Sequence, residues 1–118
     1  MTATEIFETA NKAGAFTSDV RFYSDTKAFV DFQLNLNGAK TPEAAAYLRS
    51  LADVAFDDMV MDLSEICYDK VAEDLGTPFS FECVSISWTE DGLIIAMDGT
   101  LDAEDIADYR FLHEDEAA

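Results

Sequence analysis

Carboxylate side chains are the groups in this 118-residue chain whose number and spacing could do chemistry. Five of them recur at steps of four, three, four and four residues: Asp58, Asp62, Glu65, Asp69 and Glu73. An α-helix would align these five in one ridge, with neighbours about 6 Å apart. Like charges at this spacing destabilise a helix by a few tenths of a kcal/mol per pair, so the pattern does not serve helix stability.

A carboxylate ridge of this kind could stand in for the phosphates of a nucleic acid. Successive phosphates on one strand are also about 6–7 Å apart, because B-DNA rises ~3.4 Å per residue on each strand. A second acidic group follows near the C-terminus and comprises Asp102, Glu104, Asp105 and Asp108. We take both groups as candidate partner-binding residues. The competing interpretation is that they are the solvated faces of amphipathic helices.

Residue patterns for catalysis or metal binding are sparse. The single histidine, His113, lies beside acids near the C-terminus, and the sequence places no serine or cysteine next to it. The five glycines are isolated, which does not fit a phosphate-binding loop. The nearest candidates for a Ca²⁺ loop, the turns Asn35-Leu36-Asn37-Gly38 and Glu90-Asp91-Gly92, lack the rest of that pattern. We therefore expect a non-enzymatic binding protein with no catalytic residue, metal ion or cofactor.

The two cysteines and the N-terminus point to an intracellular chain. Cys67 and Cys83 do not form a CxxC pair, and we expect both to be reduced and mostly buried thiols. No basic segment followed by an apolar one opens the chain, and no apolar run approaches the ~20 residues that span a bilayer. The sequence thus predicts a cytoplasmic protein.

Net charge is the most unusual property of the composition. Twenty-five acids against seven bases give −18, whereas 49% hydrophobic residues are ordinary for a folded domain. Residues 1–50 carry six acids and five bases, but residues 51–118 carry nineteen acids and two bases. A halophilic surface would be acidic throughout, so the near-neutral first half argues against that origin. Such a charge repels nucleic acid and anionic membranes and attracts basic partners.

Local signals in the first 40 residues predict one helix and two strands. Thr2 and Glu5 form a capping box for a helix over 3–13. A strand over 15–23 follows. Strict alternation of apolar and polar residues over 28–36 then predicts a strand with one buried face.

The acidic half begins with a long helix. Thr41, Pro42 and Glu43 are a strong helix start. No glycine or proline follows before Gly76, so we predict a helix over 42–74. This helix would run about 50 Å at ~1.5 Å per residue, and we expect a break near Asp62-Leu63-Ser64.

Two further strands and a final helix complete the chain. A phase shift in the alternation predicts a strand over 79–88 with a bulge near Cys83-Val84. The turn Glu90-Asp91-Gly92 leads to a return strand from Leu93. Asp102 caps a helix over 103–112, and residues 114–118 form an acidic tail.

These elements predict a single α+β domain over residues 1–113. The expected architecture is a two-layer sandwich of order α-β-β-α-β-β-α, in which an antiparallel sheet of four to five strands packs on the long, broken central helix. Covering the second face of the sheet would need a partner or a homodimer, unless the short helices cover it.

In size, charge and lack of a catalytic site, the chain resembles acidic phage-encoded DNA-mimic inhibitors, the anti-restriction and anti-CRISPR proteins. The resemblance is one of physical type. It implies an inhibitor that occupies the basic cleft of a nuclease, a defence complex or another DNA- or RNA-binding protein, without touching nucleic acid itself. The acidic second half would supply the contacts.

The element order resembles, in addition, that of the acidic, dimeric type III secretion chaperones. This second resemblance implies a chaperone-like or immunity protein that binds a protein segment through apolar grooves. Phe29, which interrupts the polar face of its strand, would then be a candidate contact.

Overall fold

Helices and hairpins alternate along the chain, separated by short turns. The computed structural model describes residues 1–113. Its elements are α1 (Ala3–Lys12), β1 (Phe16–Ser24), β2 (Lys27–Asn37), α2 (Pro42–Ser50), α3 (Asp53–Leu75), β3 (Ser80–Thr89), β4 (Gly92–Leu101) and α4 (Ala103–Leu112). The predicted acidic tail, residues 114–118, lies outside the described residues.

The sheet has four antiparallel strands in the order β1-β2-β4-β3. Both predicted hairpins are confirmed, and the described chain has no fifth strand. The alternation over 28–36 works as predicted, since every second side chain of β2 from Ala28 to Leu36 is buried. β2 and β4 are central, whereas β1 and β3 are the edges.

All four helices contribute to one core on the same face of the sheet. Their buried side chains, among them Ile6, Leu48, Leu63 and Ile106, pack against the apolar faces of β2 and β4. The α+β class, with an antiparallel sheet of four strands and four helices, is therefore confirmed. No helix of the described chain covers the second face of the sheet. None of the helices in residues 1–113 is long and apolar enough to cross a membrane.

The predicted helix over 42–74 is two helices. α2 ends at Ser50, and Leu51 and Ala52 are extended, with ψ of 144° and 155°. The expected break near residues 62–64 is wrong, because α3 runs through them without interruption. The reason is the size of the sheet: an eleven-residue strand such as β2 spans about 37 Å at ~3.4 Å per residue. A straight helix of about 50 Å would overrun it.

The bulge in β3 lies slightly earlier than expected. The register shifts between Phe81 and Cys83, so Glu82 is the extra residue. After the shift, Val84, Ile86 and Trp88 stand opposite the buried side of β4. The bulge thus keeps the apolar residues of β3 on the helix-facing side of the sheet.

Candidate functional site

The five ridge residues lie on α3, a single 23-residue helix. Val60, Leu63, Cys67 and Val71 form its buried side, and the ridge lies on the opposite side. All five ridge residues are exposed: Asp58, Asp62, Glu65, Asp69 and Glu73. From the first to the last, the ridge extends about 22 Å along the helix axis at ~1.5 Å per residue.

Basic side chains do not compensate the ridge. The one cation on α3 is Lys70, and its Nζ lies 3.3 Å from Oδ1 of Asp74, outside the ridge. The other ion pairs of the described chain join Arg21 to Asp19 and Asp31, and Arg110 to Asp25. Within residues 1–113, no ridge carboxylate forms an ion pair, so the negative potential of the ridge is directed into solvent.

The second acidic group divides into two pairs. Asp102 and Asp105 form a capping box at the start of α4: the Asp105 N–H donates to Oδ1 of Asp102 at 3.0 Å, and the Asp102 N–H donates to Oδ2 of Asp105 at 3.3 Å. Desolvation by the protein raises the pKa of Asp105. Glu104 and Asp108 are exposed and four residues apart, so they share one helix face. Glu104 lies in the first turn of α4, but neither Glu104 nor Asp108 takes part in the capping box.

The open face of the sheet carries an acidic row that the sequence did not predict. Asp19 stands opposite Asp31, and Asp31 stands opposite Asp98 on the next strand. Arg21 donates a hydrogen bond to Asp31, and its Nε lies 4.0 Å from Oδ2 of Asp19. The three acids and Cys83 line a shallow cavity of about 400 Å³. Finding this row requires the strand register, which alternation alone does not give.

The described residues contain no group of three or more acidic, histidine or cysteine side chains arranged to hold a metal ion. Cys67 is buried, and this burial raises the pKa of its thiol to about 12. Cys83 is exposed because it lies on an edge strand, which corrects the expectation of two mostly buried thiols.

The ring of His113 stacks on Tyr109 with centroids 4.2 Å apart, and its Nδ1 donates to the Tyr109 carbonyl oxygen at 2.9 Å. His113 is thus the half-buried C-cap residue of α4.

The predicted apolar contact, Phe29, lies on the open face and is half-buried. Its ring meets Tyr23 edge-on with centroids 4.9 Å apart, and Nζ of Lys27 lies 5.2 Å from the ring centroid. Its neighbours along β2 on this face are Asp31 and Lys27. Phe29 therefore packs within its own hairpin instead of lining an apolar groove.

An apolar groove does exist, on the other side of the sheet. β3 places Phe81, Val84, Ile86 and Trp88 on the helix-facing side, where each is 42–44% exposed. The alternation predicted these side chains to be on one face of a strand. Their exposure depends on how far the helical layer extends sideways, for which the sequence has no signal.

No protein-family model matches the chain, and no curated protein and no solved structure is significantly similar to it.

Proposed function

We propose that this protein is a non-enzymatic acidic inhibitor that mimics nucleic acid and occupies the basic cleft of a nuclease or another DNA- or RNA-binding protein. The observation that carries the proposal is the ridge on α3, whose five exposed carboxylates form no ion pair within residues 1–113. Glu104 and Asp108 on α4 are secondary contacts. Asp102 and Asp105 are left out of the contact set, because they cap a helix.

The interval between neighbouring carboxylates in the ridge supports mimicry of nucleic acid more strongly than the net negative charge of the chain does. Neighbours about 6 Å apart along a rigid helix repeat at the interval of phosphates along a strand. A basic cleft built to contact consecutive phosphates can then pair with consecutive carboxylates. The ridge also keeps like charges together, at a small cost to helix stability. Lys70, the one cation on α3, pairs with Asp74 outside the ridge. An ordinary solvated helix face more often mixes the two signs.

Charge reversal within the ridge tests the proposal. The variant carries Asp62→Lys and Asp69→Lys, and the matched control carries Glu8→Lys and Glu43→Lys, two exposed acids of the near-neutral half. Both variants gain the same charge. Each immobilised protein is presented to host lysate at low salt, and the retained basic nucleic-acid-binding protein is quantified.

We expect the ridge variant to retain less than about a tenth of the partner that the control retains, since the two reversals, on either side of Glu65, replace attraction by repulsion. Circular dichroism should show that both variants are folded, because the four positions are exposed. Equal retention by the ridge variant and the control would overturn the assignment of the ridge as the contact surface.

A chaperone-like or immunity protein that binds a protein segment remains the alternative function. The uncovered apolar side of β3 favours it, whereas the setting of Phe29 does not. Phe29→Asp should leave the binding of a nucleic-acid mimic unchanged, and a loss of binding in that variant would favour the alternative.

A further inference from the structure

The free edge of β3 exposes side chains that the neighbouring strand buries. Ile86 stands opposite Ile95, and Trp88 stands opposite Leu93. The β4 residues are fully buried, whereas their β3 partners are 42–44% exposed. The helical layer thus ends above β4, and the apolar side of the sheet continues beyond it by one strand.

A groove lies between β3 and α3. At one end the Tyr68 ring packs against Phe79, with centroids 4.4 Å apart, and its hydroxyl donates to the Phe79 carbonyl oxygen at 2.6 Å. At the other end the Phe56 and Trp88 rings lie 5.4 Å apart. Ser64, Glu65, Tyr68 and Phe81 line a groove volume of about 240 Å³.

α3 contributes Ser64, Glu65 and Tyr68 to this groove, and an exposed apolar side chain, Met61, lies beside it on the helix. Met61 is 70% exposed, and it lies seven residues before Tyr68, on the same flank of the helix. Glu65 lines the groove and also belongs to the ridge. The groove and the ridge are therefore adjacent surfaces that share one residue.

The backbone of β3 is also open for pairing. In the described chain it pairs with β4 alone, so its outer N–H and C=O groups have no strand beside them. Edge strands are commonly protected by lysine, proline or a short length. β3 has ten residues and only one charged side chain, Glu82 at the bulge.

From these observations we propose that β3 accepts an extended segment of the partner protein as a fifth strand, in which apolar and basic side chains alternate. The apolar side chains would face Val84, Ile86 and the groove. The basic ones would face the open side of the sheet, where Glu82 and Asp98 lie near the edge. This inference rests on the proposed function in one respect, that the partner is basic.

Charge complementarity selects this occupant over a second copy of the chain. A second copy also carries a net charge of −18, and its own β3 would offer serines and Glu82 where bases are needed. The structure also shows a cation at this strand: the Arg49 guanidinium lies 5.5 Å from the Trp88 ring and donates to the carbonyl oxygens of Thr89 and Glu90 at 3.1 and 3.2 Å.

Three labelled peptides of about nine residues test the proposal by fluorescence anisotropy at ~0.15 M salt. The first alternates lysine with valine or isoleucine. The second has the same composition in two blocks, and the third is the first with alternate backbone nitrogens methylated. We expect the alternating peptide to bind at least about tenfold more tightly than either control, because only it can pair as a strand with all its apolar side chains on one side. Equal binding of the block or methylated peptide, or no binding of the alternating one, would overturn the proposal.

A charged variant of β3 distinguishes two causes of peptide binding: packing of the peptide's apolar side chains on β3, and electrostatic attraction of its lysines to an acidic protein. Ile86→Glu adds a negative charge to the exposed apolar side of β3, and Ser18→Glu adds the same charge to the helix-facing side of β1, the opposite edge. If the groove binds apolar side chains, Ile86→Glu weakens the alternating peptide at least about tenfold despite the added charge. Ser18→Glu should bind it as the wild type does. If circular dichroism shows that Ile86→Glu does not fold, Val84→Glu is used in its place for the same comparison.

Binding to Ile86→Glu as tight as to the wild type would show electrostatic attraction only and would overturn the proposal. A wild-type dimer in sedimentation that Ile86→Glu dissociates would also overturn it, because a second copy would then occupy the edge. The variant with Asp62→Lys and Asp69→Lys should bind the alternating peptide within about threefold of the wild type. The ridge variant therefore tests the proposed function, whereas Ile86→Glu tests the binding of a strand to β3, so either proposal can be rejected without the other.

Discussion

Asp102 and Asp105 illustrate how one residue type serves two purposes in this chain. Their carboxylates accept hydrogen bonds from each other's backbone N–H groups at the start of α4. The carboxylates of Asp62 and Asp69 have no such local acceptor role in the described structure and point into solvent from the middle of α3. The first pair stabilises a helix, whereas the second is available to a partner.

Replacing Asp102 by alanine should therefore reduce stability more than it reduces partner binding. We expect a loss of about 1 kcal/mol in the free energy of unfolding, as for other side-chain caps. Glu104→Ala, an exposed acid two residues later, should cost less than about 0.5 kcal/mol. Urea denaturation measures both. A cost for Asp102→Ala no larger than that for Glu104→Ala would contradict the capping role.

At the residue scale, the sequence predicted contacts that form within one helical turn. The capping box of Thr2 and Glu5 and the cap at Asp102 are present as expected. The row of Asp19, Asp31 and Asp98 was missed, because its members come from three strands and meet only through the sheet register. Short-range hydrogen bonds can be predicted from spacing, whereas cross-strand neighbours require the fold.

At the scale of elements, Gly99 fixes how closely β3 approaches β4. A Cβ atom at this position would lie 2.5 Å from the Ser80 carbonyl oxygen and 2.6 Å from the Phe79 ring. Phe79 is buried against Tyr68 and Phe32, so its ring has little room to move. Gly99 thus allows the Phe79 ring to pack over the sheet at the start of the edge strand.

Gly99→Ala should consequently destabilise the protein by about 2 kcal/mol, the usual effect of overpacking a tight contact. Thr100→Ala, the next residue, removes only an exposed hydrogen bond to Glu82 and should cost less than about 0.5 kcal/mol. Chemical denaturation of the two variants gives the comparison. If the two substitutions cost the same, the close approach at Gly99 is not a determinant of stability.

Helix boundaries were predicted correctly where capping residues mark them, and missed where no such residue is present. Capping signals and glycines predicted α1 and α4 to within a residue. The division between α2 and α3 at Leu51 and Ala52 has neither glycine nor proline. It arises because both helices must bury apolar faces on a sheet shorter than the continuous helix. A tertiary cause of this kind leaves no local signal, and the same holds for the exposure of β3.

At the scale of the whole molecule, the order of the strands in the sheet follows the division of charge along the chain. The sheet order places β1 and β2, from the near-neutral half, on one side and β4 and β3, from the acidic half, on the other. The acidic half also supplies α3 with its ridge and the groove beside it. A basic partner would thus meet one side of the molecule, where electrostatic attraction and an apolar edge lie next to each other.

Competition with duplex DNA distinguishes nucleic-acid mimicry from every other mode of binding proposed for this protein. A partner captured from host lysate at low salt by the immobilised wild-type protein is challenged in parallel with excess duplex DNA and with ~0.5 M salt. We expect that a basic nucleic-acid-binding protein is captured and that both treatments release it, since DNA needs the same cleft and salt screens the contacts. A partner that stays bound through excess DNA, or that binds DNA and this protein together, would contradict mimicry.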